Sequence, residues 1–168
     1  MDVPEQHRAQ APKRLGFAVL TVSDSLTPED DTGGRAIREA AERAGHRVLE
    51  ARIVRDAVPE IRAALRDLLA LPEVDVVVTT GGTGLSPRDL TLEAVAPLLE
   101  RPVEGFGELF RMLSYRQVGA AAMLSRAAAG VTAGRAVFAL PGSPKAVALA
   151  MDELILPEPA HLIAQARR

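Results

Sequence analysis

Cysteine is absent from the 168 residues, which excludes disulfides, thiolate zinc sites and cysteine nucleophiles together. Tryptophan and asparagine are missing as well, and aromatic residues make up only 3%. A core must therefore be assembled from Ala, Val, Leu and Ile, and the 48% hydrophobic content suffices for one. There is no excess of positive charge: the formal net charge is −2 and the pI about 5.9. No basic field exists to gather nucleic acid. No apolar run approaches a membrane span, and no basic-then-apolar segment opens the chain as a secretory signal does. A cytoplasmic protein that engages neither nucleic acid nor membrane is the expectation. The three histidines, His7, His46 and His161, are scattered and form no metal triad or catalytic dyad.

What is present reads as one domain. Residues 1–14 are polar, contain proline and lack periodicity, so they are expected to form a disordered tail ahead of a single domain over 15–168. Segments 15–22 (LGFAVLTV), 47–54 (RVLEARIV), 74–80 (VDVVVTT) and 135–141 (RAVFALP) are short and β-branched or apolar. They predict strands, the third buried on both faces. Between them lie helical patterns. Residues 34–45 end at Gly45, a natural left-handed cap. Residues 58–71 place Ile61, Leu65, Leu68 and Leu69 on one stripe, with Pro59 near the start. Helical patterning continues through 90–100, 103–113 and 146–156, with Phe106, Leu109, Phe110 and Leu113 forming a stripe in the second of these. This alternation predicts a mostly parallel α/β sheet with helices on both faces. Residues 125–141 instead read as strand, turn and return strand, so one edge strand is expected to be antiparallel.

In open α/β sheets, ligands bind outside the carboxyl ends of the strands. The segments following the four predicted strands are SDSLTPEDDTGG, RDAVPE, GGTGLSPRD and GSPKA. The first three carry Asp24, Asp56 and Asp89. The last two share a grammar of Gly and then Ser-Pro-basic, in which Ser86 and Ser143 can cap helices begun by Pro87 and Pro144. Glycines at 81, 82 and 84 let a ligand approach backbone N–H groups. Arg88 and Lys145 add phosphate donors. Asp56 and Asp89 repel phosphate, and belong in an anion cradle if Mg²⁺ bridges them to it. Structural readings stand beside these. The glycines can serve a tight turn, Ser86-Pro87-Arg88-Asp89 fits a capping box, and Asp24 lies in an acid-rich loop. Neither a GxGxxG fingerprint nor a GxxxxGK[ST] loop occurs.

TVSDS (21–25), TTGGTGLSPRDLT (79–91), VEGFGELFRML (103–113), MLSRAAAG (123–130) and LPGSPKAV (140–147), in that order, resemble the MoaB/MogA family of molybdenum cofactor biosynthesis proteins, which includes the gephyrin G domain. The resemblance runs from about Leu15 to Leu156. It implies a three-layer α/β/α domain, a homotrimer or homohexamer, and adenylylation of molybdopterin by Mg-ATP with release of pyrophosphate. It implies catalytic and Mg²⁺-binding roles for Asp56 and Asp89. It further implies substrate-binding roles for Ser23, Asp24, Gly81, Gly82, Thr83, Gly84, Arg88, Ser125, Arg126, Gly142, Ser143, Pro144 and Lys145. Other molybdenum cofactor biosynthesis proteins are partners the resemblance allows. DDTGG, EGFGELFRMLSY and the compact length resemble the MoaB branch, while Asp56 and the PRDLT form of the glycine loop are those of active MogA-like enzymes. Two alternatives stay open: a pterin-binding MoaB-type assembly protein without turnover, and a nucleotide hydrolase of CinA type, whose glycine loop typically continues into Asp-Asp where Arg88-Asp89 stands here.

Overall fold

The computed structural model describes residues 14–168, so residues 1–13 of the expected tail lie outside the described residues. The chain runs β1 (Gly16–Val22), α1 (Thr32–Arg43), β2 (Arg47–Val54), α2 (Val58–Ala70), β3 (Val76–Thr80) and the short α3 (Thr91–Val95). It continues through β4 (Arg101–Pro102), α4 (Glu104–Val118), β5 (Ala128–Thr132), β6 (Arg135–Leu140), α5 (Pro144–Ala150) and α6 (Pro159–Ala166). Among the described residues no helix is long and apolar enough to cross a membrane.

The strands form one sheet in the order β2-β1-β3-β6-β5-β4. Pairing is parallel from β2 through β1 and β3 to β6, while β5 is antiparallel to both β6 and β4. The expected antiparallel edge is therefore one strand short, because β5 is covered in turn by the two-residue β4. A two-residue strand leaves no periodic signal. Gly130 permits it, since a Cβ there would lie 2.9 Å from the Arg101 carbonyl oxygen. Brevity and Pro102 also blunt this edge against further pairing.

Alternation along the central strands feeds two cores. Phe17 and Val19 of β1 and Val76 and Val78 of β3 pack with Ile37, Phe110, Met151 and Ile163 on one face. Ala18, Leu20 and Val77 pack with Ile61, Leu65, Leu68 and Val95 on the other. All of β1 and β3 is buried, as layers on both sides require. The result is a three-layer α/β/α domain, with α1, α4, α5 and α6 on one side and α2 and α3 on the other.

Helix ends explain where elements stop. The Gly45 N–H donates to the Glu42 carbonyl at 2.9 Å and the His46 N–H to that of Ala41 at 3.0 Å. With Gly45 at φ 87°, this is the Schellman closure expected for α1. Ser86 and Pro87 depart from expectation. They begin no helix; the Asp89 N–H closes a turn onto the Ser86 carbonyl at 2.9 Å, and α3 starts only at Thr91. Ser143 does occupy the cap position of α5, with Pro144 first in the helix, but its hydroxyl makes no cap hydrogen bond.

Candidate active site

Parallel pairing brings the carboxyl ends of β1, β3 and β6 level, with Thr21 opposite Thr80 and Thr80 opposite Leu140. The loops that follow are stitched together by short polar contacts. The Gly81 N–H donates to the Leu140 carbonyl at 3.1 Å, and the Thr80 hydroxyl to that of Pro141 at 2.9 Å. A Cβ on Gly142 would sit 3.4 Å from Gly81 Cα. The glycine loop and the Gly142-Ser143-Pro144-Lys145 loop thus open on the same edge of the sheet.

The glycines do more than admit a ligand. Gly81 and Gly82 have φ of 92° and 64°, a region that favours glycine. A side chain on Gly81 would strike the Val22 carbonyl. A Cβ on Gly82 would strike Thr91 Oγ1 and lie 2.5 Å from Asp56 Oδ2, and one on Gly84 would lie 2.6 Å from Asp89 Oδ2. Gly82 and Gly84 make room for the two carboxylates themselves. The ligand-approach reading of these positions is therefore incomplete: the molecule's own atoms occupy the space a side chain would need.

Asp56 Oδ1 accepts the Leu90 N–H at 2.9 Å, and Asp89 Oδ2 accepts the Ser86 N–H at 3.1 Å. The second contact is half of a capping box, used here to close a turn. Burial pushes the Asp56 carboxyl above its ordinary range; the Leu90 N–H opposes this, and the charges of Asp89, Asp24 and Glu93 reinforce it. Asp24 holds two loops together, accepting the Asp56 N–H at 3.1 Å and one Arg88 donor at 3.3 Å. Arg88 is 82% exposed on this contact, so its guanidinium lies over Asp24 rather than beside Asp56 and Asp89. Ser23 turns its hydroxyl onto the Ser25 and Leu26 N–H groups at 3.2 and 3.1 Å, closing the loop after β1.

Two cavities adjoin at this edge. One, of about 420 Å³, is walled by Gly81–Gly84, Asp89, Arg126 and Gly142. The other, of about 760 Å³, lies between α4 and α5 and presents Ser114, Gln117, Ser143 and Lys145. Ser125 lines both. Asp89 and Lys145 therefore belong to neighbouring chambers rather than one, and Asp56 stands behind Gly82.

Residues 18–161 match the family described as a probable molybdopterin binding domain. The chain belongs to this family. It is similar to Molybdenum cofactor biosynthesis protein B of Bacillus cereus, with 45% identity over 97% of each chain. A solved structure of a Molybdenum cofactor biosynthesis protein B superposes with a TM-score of 0.91 at 46% identity, covering 95% of this chain and 99% of that one. The tungsten cofactor synthesizing protein MoaB from Pyrococcus furiosus gives a TM-score of 0.85 at 39% identity, over 94% and 100% of the chains.

Within this molybdopterin-binding domain three residues escaped sequence reasoning. Glu93 takes a two-pronged contact from Arg126, at 2.7 and 3.3 Å. Asp31, in the acid-rich segment after β1, is buried and caps α1. Thr91 donates its hydroxyl to the Gly81 carbonyl at 2.8 Å, and its N–H to that of Gly82 at 2.9 Å. Asp31 alone had a legible signal, an acid three residues ahead of Gly34 at a helix start.

Proposed function

We propose that this chain acts in molybdenum cofactor biosynthesis as a molybdopterin adenylyltransferase using Mg-ATP. The observation that carries the reading is the pair of chambers meeting at Ser125, one with Asp89 on its wall and the other with Lys145. Two substrates seated one in each chamber bring their phosphates together at the shared wall. A terminal phosphate oxygen of the pterin then forms a bond to the α-phosphorus of ATP, and the bond to pyrophosphate breaks. Such transfer needs positioning and charge neutralisation rather than a covalent nucleophile, which suits a site free of cysteine.

Mg²⁺ is commonly held by one or two carboxylates together with substrate phosphates. Among the described residues no three His, Cys, Asp or Glu side chains gather as a metal group, and Asp56 with Asp89 supplies the two-carboxylate set. Mutual repulsion contributes to the raised Asp56 carboxyl, and a cation relieves that repulsion. When bound, the metal supplies neutralisation of the triphosphate. Asp56 and Asp89 would hold it, N–H groups of Gly82, Thr83 and Gly84 would face phosphate oxygens while that of Gly81 stays on the Leu140 carbonyl, and Ser125, Ser143 and Lys145 would orient the second phosphate. Arg88 turns from Asp24 to the nucleotide.

Purified protein with molybdopterin, ATP and Mg²⁺ should release pyrophosphate in step with adenylylated pterin. No release above the protein-free rate overturns the reading. A pterin-binding role without turnover is the second reading, favoured by the B-protein names of the relatives. Thermal shift separates them, since a pure pterin carrier gains no stability from Mg-ATP.

A further inference from the structure

Arg126 makes contacts that a substrate-binding role does not require. Its Nε donates to the Thr83 carbonyl at 2.9 Å and its Nη2 to the Asp89 carbonyl at 3.4 Å. The outer edge of the guanidinium forks onto Glu93, Nη1 to Oε1 at 2.7 Å and Nη2 to Oε2 at 3.3 Å. These four hydrogen bonds occupy most of a group with five N–H donors, so little of it remains for a phosphate. The two carbonyls stand at the ends of the 83–89 loop, and one planar cation spans them.

Glu93 is itself fixed. It sits in α3, whose Glu93 and Ala94 carbonyls accept from Arg62 Nη2 and Nε, each at 3.2 Å. Arg62 reaches α3 from α2, and Arg126 reaches it from the segment before β5. Leu90, whose N–H is held by Asp56, immediately precedes this helix. The loop is entered through the left-handed Gly81 and Gly82 and has no helix to stiffen it before the short α3. The cross-brace therefore adds a long-range anchor to the two local Ser86 contacts of Asp89.

We propose that Arg126, held by Glu93, is a positioning residue that fixes the 82–91 loop and so sets Asp89 and the Asp56–Leu90 contact in one geometry. Because Ser125 precedes it and lines both chambers, the brace also ties the loop to their shared wall. Only the activity readout below rests on the adenylyl-transfer reading.

Arg126→Lys keeps the charge, but a single ammonium cannot fork onto a carboxylate while reaching both carbonyls. Glu93→Gln keeps the shape and loses the charge. Amide hydrogen exchange should quicken about tenfold or more across 82–91 in both variants, while β3 and β6 amides and the thermal midpoint stay as in the parent. The double variant should exchange no faster than the faster single one, as members of one unit behave. Turnover should fall about tenfold in both variants, with KM for ATP changing less than about threefold. Unchanged exchange across 82–91 in both variants overturns the proposal. It is equally overturned if Glu93→Gln behaves as the parent while Arg126→Lys alone loses ATP affinity, which makes Arg126 a direct substrate contact. Quickened exchange in a protein whose parent form releases no pyrophosphate supports the brace and removes the adenylyl-transfer reading.

Discussion

Gly82 shows how much one residue can carry. Its φ of 64° and the Thr91 and Asp56 atoms beside its Cα leave no place for a methyl group. Gly82→Ala should therefore lower stability by about 1–3 kcal/mol, read as a fall in the denaturant midpoint, and lower turnover with it. Asp89→Asn separates turn from chemistry. An amide oxygen can still accept the Ser86 N–H, so the fold should hold, yet turnover should drop by about a hundredfold for loss of a preorganised charge. Normal turnover in Asp89→Asn together with unfolding of Asp89→Ala leaves Asp89 as a turn residue only. His46, at the opposite edge, contributes to acid response. Its Nδ1 accepts the Leu15 N–H at 3.2 Å and its ring stacks on Phe17 at 5.1 Å. Burial holds its pKa below the ordinary 6.5, opposed in part by the Asp75 charge. Below that value the unfolded chain takes up a proton that the folded chain resists, so this contribution is complete above 6.5 and is lost on acidification toward the lowered value. Denaturant midpoints should therefore decline as the pH falls below 6.5, and decline less in His46→Gln.

Among the elements, α1 depends most on a single side chain. Asp31 accepts the Gly34 N–H at 2.8 Å and the Thr21 hydroxyl at 2.6 Å while only 8% exposed. The contact ties the start of α1 to β1, beside the junction where Gly33 meets Thr80 and the Gly142 carbonyl. Asp31→Ala removes the cap and strands two buried donors. A loss of about 2–3 kcal/mol is expected, measured as a lowered thermal midpoint, whereas Asp31→Asn should recover part of it. Full stability in Asp31→Ala is the outcome that sinks this account of the helix start.

Across the whole molecule, the apolar stripe of α4 divides. Phe106 and Phe110 enter the core, but Leu109 is 47% exposed, and Met112, Tyr115, Val118, Met123 and Leu124 are exposed with it. In a chain with four phenylalanines and one tyrosine, that tyrosine and Met112 lie exposed on α4, whose exposed Val118 lines the α4–α5 chamber. Exposed apolar area of this kind marks an association surface. We propose that it seats further copies of this chain. Sedimentation should report a trimer or larger at micromolar concentration, and Leu109→Lys combined with Met112→Lys should shift the mass to monomer without unfolding. A monomeric parent protein contradicts the proposal.

Except for β4 and α6, the order of strands and helices, the parallel sheet and the edge at which the glycine loop and the Gly142–Lys145 loop meet follow from the sequence alone, because hydrophobic period and glycine or proline punctuation are local properties. Gly45 closes α1 where its position predicts, and β3 is buried on both faces as its valines imply. Tertiary structure alone decides the rest. Ser86 and Pro87 carry the signature of a helix start but form a turn, because Asp89 is held there by its own N–H partner and by Arg126, 37 residues away in sequence. The span from Arg126 to Glu93, the reach of Arg88 to Asp24 and the shelter that Gly82 and Gly84 give to two carboxylates join residues from different loops. No local pattern records them: each is a distance between segments, and distances between segments exist only once the sheet has formed.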